Sequence, residues 1–209
     1  MLVLTSNGLS SDSLAEQTKA LLPPAARRAA IIPTAAVGFR RESAADPPIA
    51  AQLEAWGLTW DFVDVETQNP GLLRAYDVII LLGGNCYYLV KHLRRQNARP
   101  LFAELNRDKL FIGISAGSLA LGGTLEIINE FIPHMNNRVR LETFEAMGLT
   151  DIEIVPHRTR YLTRYQNFEE RVAAYERRTG RRVYALEDGE GLFVGDDALR
   201  LAGSGKTEV

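Results

Sequence analysis

The residues Gly113-Ile114-Ser115-Ala116-Gly117 place a serine between two glycines, each two positions away. This G-x-S-x-G spacing is typical of a nucleophile elbow, a sharp turn between a strand and a helix that exposes the serine hydroxyl. Glycines are needed because side chains at those positions would collide with the turn. The N–H groups that begin the following helix would stabilise negative charge at the reacting centre. We therefore predict that Ser115 is a nucleophile.

The residues around the motif predict the two elements that an elbow requires. An apolar run from Leu110 to Ile114 is typical of a buried strand, and Leu119 to Leu121 continues as the apolar start of a helix. Cys86 is a rival nucleophile, but it lacks this context, and we expect it to pack beneath the site.

Strand and helix patterns alternate along the whole chain. Apolar runs and alternating patterns predict strands at 2–4, 29–32, 58–65, 78–82, 110–114, 152–155, 183–186, 192–194 and 198–202. Helical patterns lie at 11–22, at 49–56, at 87–106 with an interruption near Pro100, and from 165 to the glycine at 180, whereas 122–150 is rich in turns. The alternation predicts an α/β fold of three αβα layers around a mostly parallel sheet. Gly195-Asp196-Asp197 predicts a carboxyl-terminal β-hairpin, and 209 residues without a linker predict a single domain, 1–209.

Three further predicted strands run into polar or glycine-rich segments. These segments are Gly83-Gly84-Asn85, Pro156-His157 and Glu187-Asp188-Gly189. In open α/β sheets, the reactive groups collect beyond the carboxyl ends of the strands. We therefore expect all three segments to meet Ser115 at one edge of one sheet.

The general base can be selected by elimination, because the chain has three histidines. His92 lies inside a predicted helix and is expected to be solvated. His134 lies in no predicted element. His157 follows a buried strand and a proline, so it is the candidate general base for Ser115.

Two adjacent carboxylates compete for the role of the acid. Glu187 and Asp188 point to opposite sides of an extended strand, so only one of them can face the histidine. The turn predicted at Gly189 favours Asp188. Glu130 is a weaker competitor.

The same elbow needs two backbone N–H groups as an oxyanion hole. Ala116, directly after the nucleophile, supplies the first in such motifs. The second must come from a loop whose backbone approaches closely, and Gly84 of the Gly83-Gly84 pair is the candidate.

Composition restricts the classes of partner and location. The 24 Lys and Arg residues nearly balance 26 Asp and Glu, which predicts no nucleic-acid or membrane partner. A single cysteine excludes an internal disulfide and favours a cytoplasmic location. The first residues predict no signal peptide, and no apolar run approaches the length of a membrane span. The Ser6-Asn7-Gly8 loop lacks the G-x-G-x-x-G of a dinucleotide site, so no such cofactor is expected.

Taken together, these motifs resemble the S51 serine peptidases, the group of peptidase E (aspartyl dipeptidase) and cyanophycinase. The matching segments are Gly83-Gly84-Asn85 before an aromatic pair, Gly113-Ile114-Ser115-Ala116-Gly117, Pro156-His157 and Asp188-Gly189. The resemblance implies a fold similar to class I glutamine amidotransferases and a catalytic set in the order Ser115, His157, Asp188. It also implies hydrolysis of short peptides without metal or cofactor. We expect the chain to act as a monomer or homodimer on a small peptide.

The sequence departs from the family pattern at two positions. Cys86 stands where the family usually has threonine. Asp188 stands where the best-known aspartyl dipeptidases carry glutamate. These departures leave the chemistry intact and bear on the choice of substrate.

A preference for amino-terminal aspartate requires a cation that pairs with the substrate carboxylate, and arginine does so through a bidentate fork. The candidates, in order of distance along the chain from the histidine, are Arg158, Arg160, Arg164 and Arg171. Arg158 and Arg160 are predicted to bind substrate together with Asn85. The alternative is that these arginines are solvated surface residues of an arginine-rich chain.

Other function classes remain open at this point. An α/β-hydrolase esterase has the triad order Ser, acid, His, so its acid would lie between Ser115 and His157, for example Glu130 or Asp151. A glutaminase of the amidotransferase kind would need cysteine at position 115. A non-catalytic binding protein of the same fold would carry a poorly formed triad.

Overall fold

A computed structural model describes residues 1–38, 47–195 and 199–203 of the chain. Its strands are β1 (Leu2–Thr5), β2 (Arg28–Ile32), β3 (Thr59–Phe62), β4 (Val78–Leu81), β5 (Leu110–Ile114), β6 (Glu153–Val155), β7 (Val183–Ala185), β8 (Gly191–Val194) and β9 (Leu199–Ala202). Seven of them form one sheet in the order β3-β2-β4-β5-β1-β8-β9. The first five strands in this order are parallel to one another, and β8 is antiparallel to both of its neighbours, β1 and β9.

Helices alternate with the strands along the chain. They are α1 (Asp12–Lys19), α2 (Pro47–Ala55), α3 (Cys86–Arg95), α4 (Ala98–Leu105), α5 (Ala116–Leu121), α6 (Glu126–Phe131), α7 (Arg158–Arg164) and α8 (Phe168–Thr179). The interruption predicted near Pro100 in the helical stretch 87–106 lies at Asn97, whose left-handed conformation with φ 50° separates α3 from α4. Among the described residues, no helix has the length and apolar character needed to cross a membrane.

Successive side chains of the strands point into two separate cores. Leu4 and Leu81 lie in the core on one face of the sheet, with residues of α3 to α8. Val3 and Ile80 lie in the core on the other face, with residues of α1 and α2. This period of two, apolar on both faces, is that of a sheet covered on both sides. The predicted three-layer α/β fold is confirmed.

The expectation that all the site-bearing strands share one sheet is wrong. β6 and β7 pair in parallel in a separate two-stranded sheet. β4 and β1 pair with the two edges of β5, and β8 pairs with the other edge of β1. No edge next to the elbow strand is therefore open to β6 and β7, which pair with each other. The predicted hairpin is present as the antiparallel β8–β9 pair. Its predicted turn residues Asp196 and Asp197 lie outside the described residues.

Glu153 on β6 is a charged residue inside the core, with 2% of its surface exposed. The Tyr175 hydroxyl lies 2.9 Å from each carboxylate oxygen, and Arg181 approaches to 3.4 Å. Burial raises the pKa of Glu153 to about 7, although the contacts with Tyr175 and Arg181 favour the charged form.

We expect this carboxyl group to make folding stability fall with rising pH. The folded chain keeps the proton up to about pH 7, whereas the unfolded chain releases it near 4.5, so stability decreases across that interval and is level above it. Glu153→Gln removes this dependence. At pH 8 the variant should exceed the wild type in free energy of unfolding by on the order of 3 kcal/mol.

Urea unfolding at pH 5 and pH 8 measures the effect. Glu170→Gln, an exposed carboxylate on α8, is the control and should match the wild type at both values. Parallel wild-type and Glu153→Gln curves across this range would show that Glu153 is ionised in the folded chain throughout.

Candidate active site

The strand–turn–helix predicted around the serine is present, and its turn is strained. β5 ends at Ile114, α5 begins at Ala116, and Ser115 between them has φ 48° and ψ −106°. A positive φ is rare for a residue with a side chain and marks a functional constraint more often than an accident. Ser115 thus lies at the carboxyl edge of the sheet, directly before the start of α5.

The two glycines of the motif are required by close backbone contacts. A Cβ at Gly113 would lie 2.5 Å from the Cα of Ser118 in α5, and one at Gly117 would lie 2.0 Å from the carbonyl oxygen of Leu81 in β4. From the sequence, we predicted that side chains at these positions would collide with the turn itself. The obstacles are the following helix and the neighbouring strand, which press the elbow against the sheet.

Three predicted site residues meet at this turn. His157 Nε2 lies 3.1 Å from Ser115 Oγ, and His157 Nδ1 lies 2.6 Å from Asp188 Oδ1. The histidine side chain is 20% exposed, and that of Asp188 is half exposed. The histidine therefore bridges hydroxyl and carboxylate, with one ring nitrogen directed at each.

The small sheet delivers the histidine and the acid to the elbow. Its ladder continues beyond β6 and β7, because the N–H of Leu186 donates to Val155 and the N–H of Arg158 donates to Leu186, both at 2.9 Å. His157 lies between these bonds with a left-handed backbone, φ 60° and ψ 46°. Asp188 lies in the segment between β7 and β8, and β8 pairs with β1.

The carboxylate of Asp188 is stabilised in its charged form. Burial acts to raise the pKa of Asp188, but hydrogen bonds from Ser6 and His157 outweigh it and hold the pKa below its ordinary value. The group is therefore ionised at neutral pH. An ionised carboxylate at Nδ1 orients an imidazole and stabilises its protonated form.

The two competing acids are engaged elsewhere. Glu187 accepts hydrogen bonds from the N–H and hydroxyl of Thr159, at 3.0 and 2.7 Å, and pairs with Arg158. Glu130 pairs with Arg178 on α8. Of the three candidate acids, Asp188 is the one that contacts the histidine.

A cavity of about 770 Å³ opens beside the serine. The backbone of Gly83 lines it, with its Cβ position 3.5 Å from the Cβ of Ser115. Gly84 has φ 135°, and a side chain there would lie 2.2 Å from the carbonyl oxygen of Ala35, so only glycine fits. The glycine loop thus lies against Ser115, where an oxyanion loop would have to be.

The residues predicted to bind substrate have other partners or positions. Asn85 lines the cavity, but its Oδ1 caps α3 and its Nδ2 donates to the carbonyl of Met135 at 3.0 Å. Arg158 forms ion pairs with Glu187 and Glu169. Arg160 lines a second cavity, of about 450 Å³, bounded by the histidine and Asp188.

The more distant arginine candidates pack against aromatic rings. Arg171 lies 4.4 Å from the ring centre of Phe131 and donates to the carbonyl of Glu130. Arg164 lies over Tyr165. Neither lines the cavity beside the serine as the described residues bound it.

A cation that the sequence analysis missed does line this cavity. It is Arg138, in the turn-rich stretch 122–150. The loop around it is fixed, because Asn136 exchanges two side-chain hydrogen bonds with the backbone of Leu141 and Lys91 donates to the carbonyl of Val139 at 2.9 Å. No periodic pattern marks such a loop, so the sequence held no signal for Arg138.

Two expectations for other reactive residues had different outcomes. His92 was expected to be solvated, and this is wrong: it is 6% exposed, with its ring 4.5 Å from that of Tyr88. Cys86 is fully buried, as expected, and burial raises the pKa of its thiol to about 12. A thiol that stays protonated at neutral pH is a poor nucleophile.

The fold and the elbow define the class of the protein. A serine on a strained turn at the carboxyl edge of a parallel sheet, in contact with a histidine, is the arrangement of serine hydrolases built on α/β sheets. Peptidase family S51 matches residues 2–202. The chain therefore belongs to family S51 and is a serine peptidase of the peptidase E kind.

Individual relatives agree with this assignment. An uncharacterized peptidase of Listeria monocytogenes is 27% identical over 147 residues, which are 68% of this chain and 70% of the relative. Peptidase E of Citrobacter koseri is 30% identical over 141 residues, 64% of this chain and 58% of the relative. The crystal structure of a candidate peptidase E protein from Listeria monocytogenes EGD-e superimposes with a TM-score of 0.74 at 25% identity, covering 97% and 98% of the two chains.

We expect Gly117→Ala to destabilise the protein, although alanine normally stabilises a helix. The added methyl group meets the Leu81 carbonyl at 2.0 Å, so α5 must move from β4. The expected loss in free energy of unfolding is roughly 3 kcal/mol, the upper end for overpacking. Gly180→Ala is the control: φ is +70° but space is open, so it should cost about 1 kcal/mol. Chemical denaturation compares them, and equal costs would contradict the close contact.

Proposed function

We propose that this S51 peptidase hydrolyses short peptides, including dipeptides with amino-terminal aspartate, through Ser115, His157 and Asp188. The observation that carries the proposal is the unbroken line of contacts from Ser115 Oγ to Nε2 at 3.1 Å and from Nδ1 to Asp188 at 2.6 Å. With Nδ1–H donated to an ionised carboxylate, Nε2 is free to take the hydroxyl proton.

The steps follow from these contacts. Ser115 Oγ attacks the peptide carbonyl carbon as His157 Nε2 takes its proton, and the carbonyl oxygen becomes an oxyanion. The N–H groups of Ala116 and Gly84 stabilise that oxyanion. The imidazolium then donates its proton to the amine nitrogen and the peptide C–N bond breaks. The amine departs, and the acyl group remains on Ser115 Oγ. Water, deprotonated by the same histidine, then attacks the acyl carbon. The ester bond to Ser115 Oγ breaks, the imidazolium returns its proton to Oγ, and the acid product leaves.

The cavity supports a small substrate with a negative charge. Its volume of about 770 Å³ suits a ligand of a few residues, and its walls are apolar apart from a few polar groups. Among the described lining residues, Arg138 is the charged side chain besides the histidine, and none is acidic. An aspartate carboxylate would therefore find a cation there, whereas a lysine side chain would find no anion among these described residues.

The esterase alternative is less well supported. It requires an acid between Ser115 and His157 in the sequence, and Glu130 is paired with Arg178 instead. The acid that contacts the histidine follows it in the chain, which is the order implied by the S51 resemblance.

We expect Ser115→Ala to abolish hydrolysis and labelling by a fluorophosphonate while leaving the unfolding transition nearly unchanged. His157→Ala should cost a similar factor, since the members of such a set act as a unit. Asp188→Asn should lower kcat by about 10³- to 10⁴-fold, because the amide no longer holds the productive imidazole tautomer.

Glu187→Gln is the matched control for the acid, as it alters the adjacent carboxylate that faces Thr159. Its kcat should stay within a few-fold of the wild type. If this change is the crippling one, the acid is Glu187. If the wild type neither labels nor hydrolyses peptides, the chain is a non-catalytic member of the family.

We expect Arg138→Gln to reduce kcat/KM for Asp-Leu by about 10- to 100-fold, the value of one charge-assisted hydrogen bond. The rate on Ala-Leu should change little, and Lys-Leu should be a poor substrate for both proteins. Arg140→Gln, two residues along and outside the cavity, is the control. A selective loss in Arg160→Gln instead would assign the carboxylate to the second cavity, and equal wild-type rates on Asp-Leu and Ala-Leu would remove the aspartate preference.

A further inference from the structure

Ser6 is a buried polar residue that directly follows β1 and has no exposed surface. Its N–H donates to the carbonyl of Glu190 at 3.1 Å, which continues the β1–β8 ladder one residue beyond Thr5. This contact places its side chain between the elbow and the loop that carries Asp188. A hydroxyl in such a position must be satisfied by protein groups.

The hydroxyl of Ser6 joins two parts of the catalytic set. It donates to Asp188 Oδ1 at 2.7 Å and accepts the backbone N–H of His157 at 2.8 Å. The same Oδ1 atom lies 2.6 Å from His157 Nδ1. Ser6, Asp188 and His157 therefore form a closed ring of hydrogen bonds.

The direction of each hydrogen bond in this ring follows from the donors available. A backbone N–H can only donate, so the Ser6 oxygen accepts from His157 and its own proton goes to Asp188. Asp188 Oδ1 is then an acceptor, and the bond from Nδ1 must be a donation by the imidazole. Nε2 is left with a free lone pair towards Ser115, as a general base requires.

Ser6 also supports an unfavourable backbone conformation. The left-handed φ of 60° at His157 is unfavourable for a residue with a side chain. The bond from its N–H to Ser6 holds one side of this turn, and the bond from Arg158 to Leu186 holds the other. The direction of the imidazole depends on both.

We propose that Ser6 is a positioning residue of the peptidase, one that sets the tautomer and orientation of His157 by binding its backbone and its acid partner together. The inference rests on the proposed roles of Ser115, His157 and Asp188. Ser6 does not line the cavity beside the serine, so it acts through the histidine and not on the substrate.

The test is Ser6→Ala, which removes the hydroxyl and adds no bulk. We expect kcat for dipeptide hydrolysis to fall by about 10- to 100-fold, as for a small displacement of a catalytic group, with KM unchanged. The rate of fluorophosphonate labelling at Ser115 should fall by a similar factor. Thr18→Val is the matched control, because Thr18 is also fully buried but its hydroxyl donates only to the backbone of Leu14.

A second readout does not depend on turnover. A proton held between Nδ1 of His157 and Asp188 gives a low-field ¹H NMR resonance, assigned by its loss in His157→Ala. Ser6→Ala should remove or shift this resonance, while Thr18→Val keeps it. Wild-type kinetics, labelling and resonance in Ser6→Ala would overturn the inference and leave the peptidase function standing. A wild type that shows the resonance but no hydrolysis would contradict the proposed function, and the Ser6→Ala spectrum would still decide the role of Ser6.

Discussion

The end of β1 holds the backbone of Ser115, and the rest of the site depends on that contact. The N–H of Ser115 donates to the Thr5 carbonyl at 3.0 Å, and the Ser118 hydroxyl donates to the same carbonyl and accepts the Thr5 N–H, both at 2.9 Å. The Thr5 hydroxyl donates to Gly113 at 2.9 Å. These bonds surround the turn and offset a backbone strain of roughly 1–2 kcal/mol. A strand residue and a helix residue together thus fix the serine.

The site is shared between two sheets, and one loop fixes the distance between them. The large sheet carries Ser115, whereas the small sheet carries His157 and leads to Asp188. Ser6 forms hydrogen bonds with both His157 and Asp188. Asn7 Oδ1 accepts a hydrogen bond from the N–H of Gly189 at 2.8 Å. The loop after β1 therefore joins the two sheets at the point where His157 contacts Ser115.

Periodic sequence patterns and local motifs predicted much of the fold and of the site. The features that have no such pattern were not predicted. The elbow and the alternation that separates Asp188 from Glu187 follow from local sequence. The separate pairing of β6 with β7 depends on which sheet edges are already occupied, and Arg138 lies in a loop with no period. Ser6 could have been predicted, because the rule that reactive groups collect beyond the carboxyl ends of strands applies to β1 as well. The only prediction for its loop was that it binds no dinucleotide.

The hydrogen bond between Ser6 and Asp188 spans 182 positions of sequence. During synthesis the ribosome releases β1 and the elbow well before Asp188, the residue that completes the ring. Contacts of such high sequence separation form late, since their loop-closure cost must be met first. A nascent or carboxyl-terminally truncated chain thus contains the elbow and His157 without the hydrogen-bond ring around them. Any property that depends on this ring appears only after Asp188 has joined the folded chain.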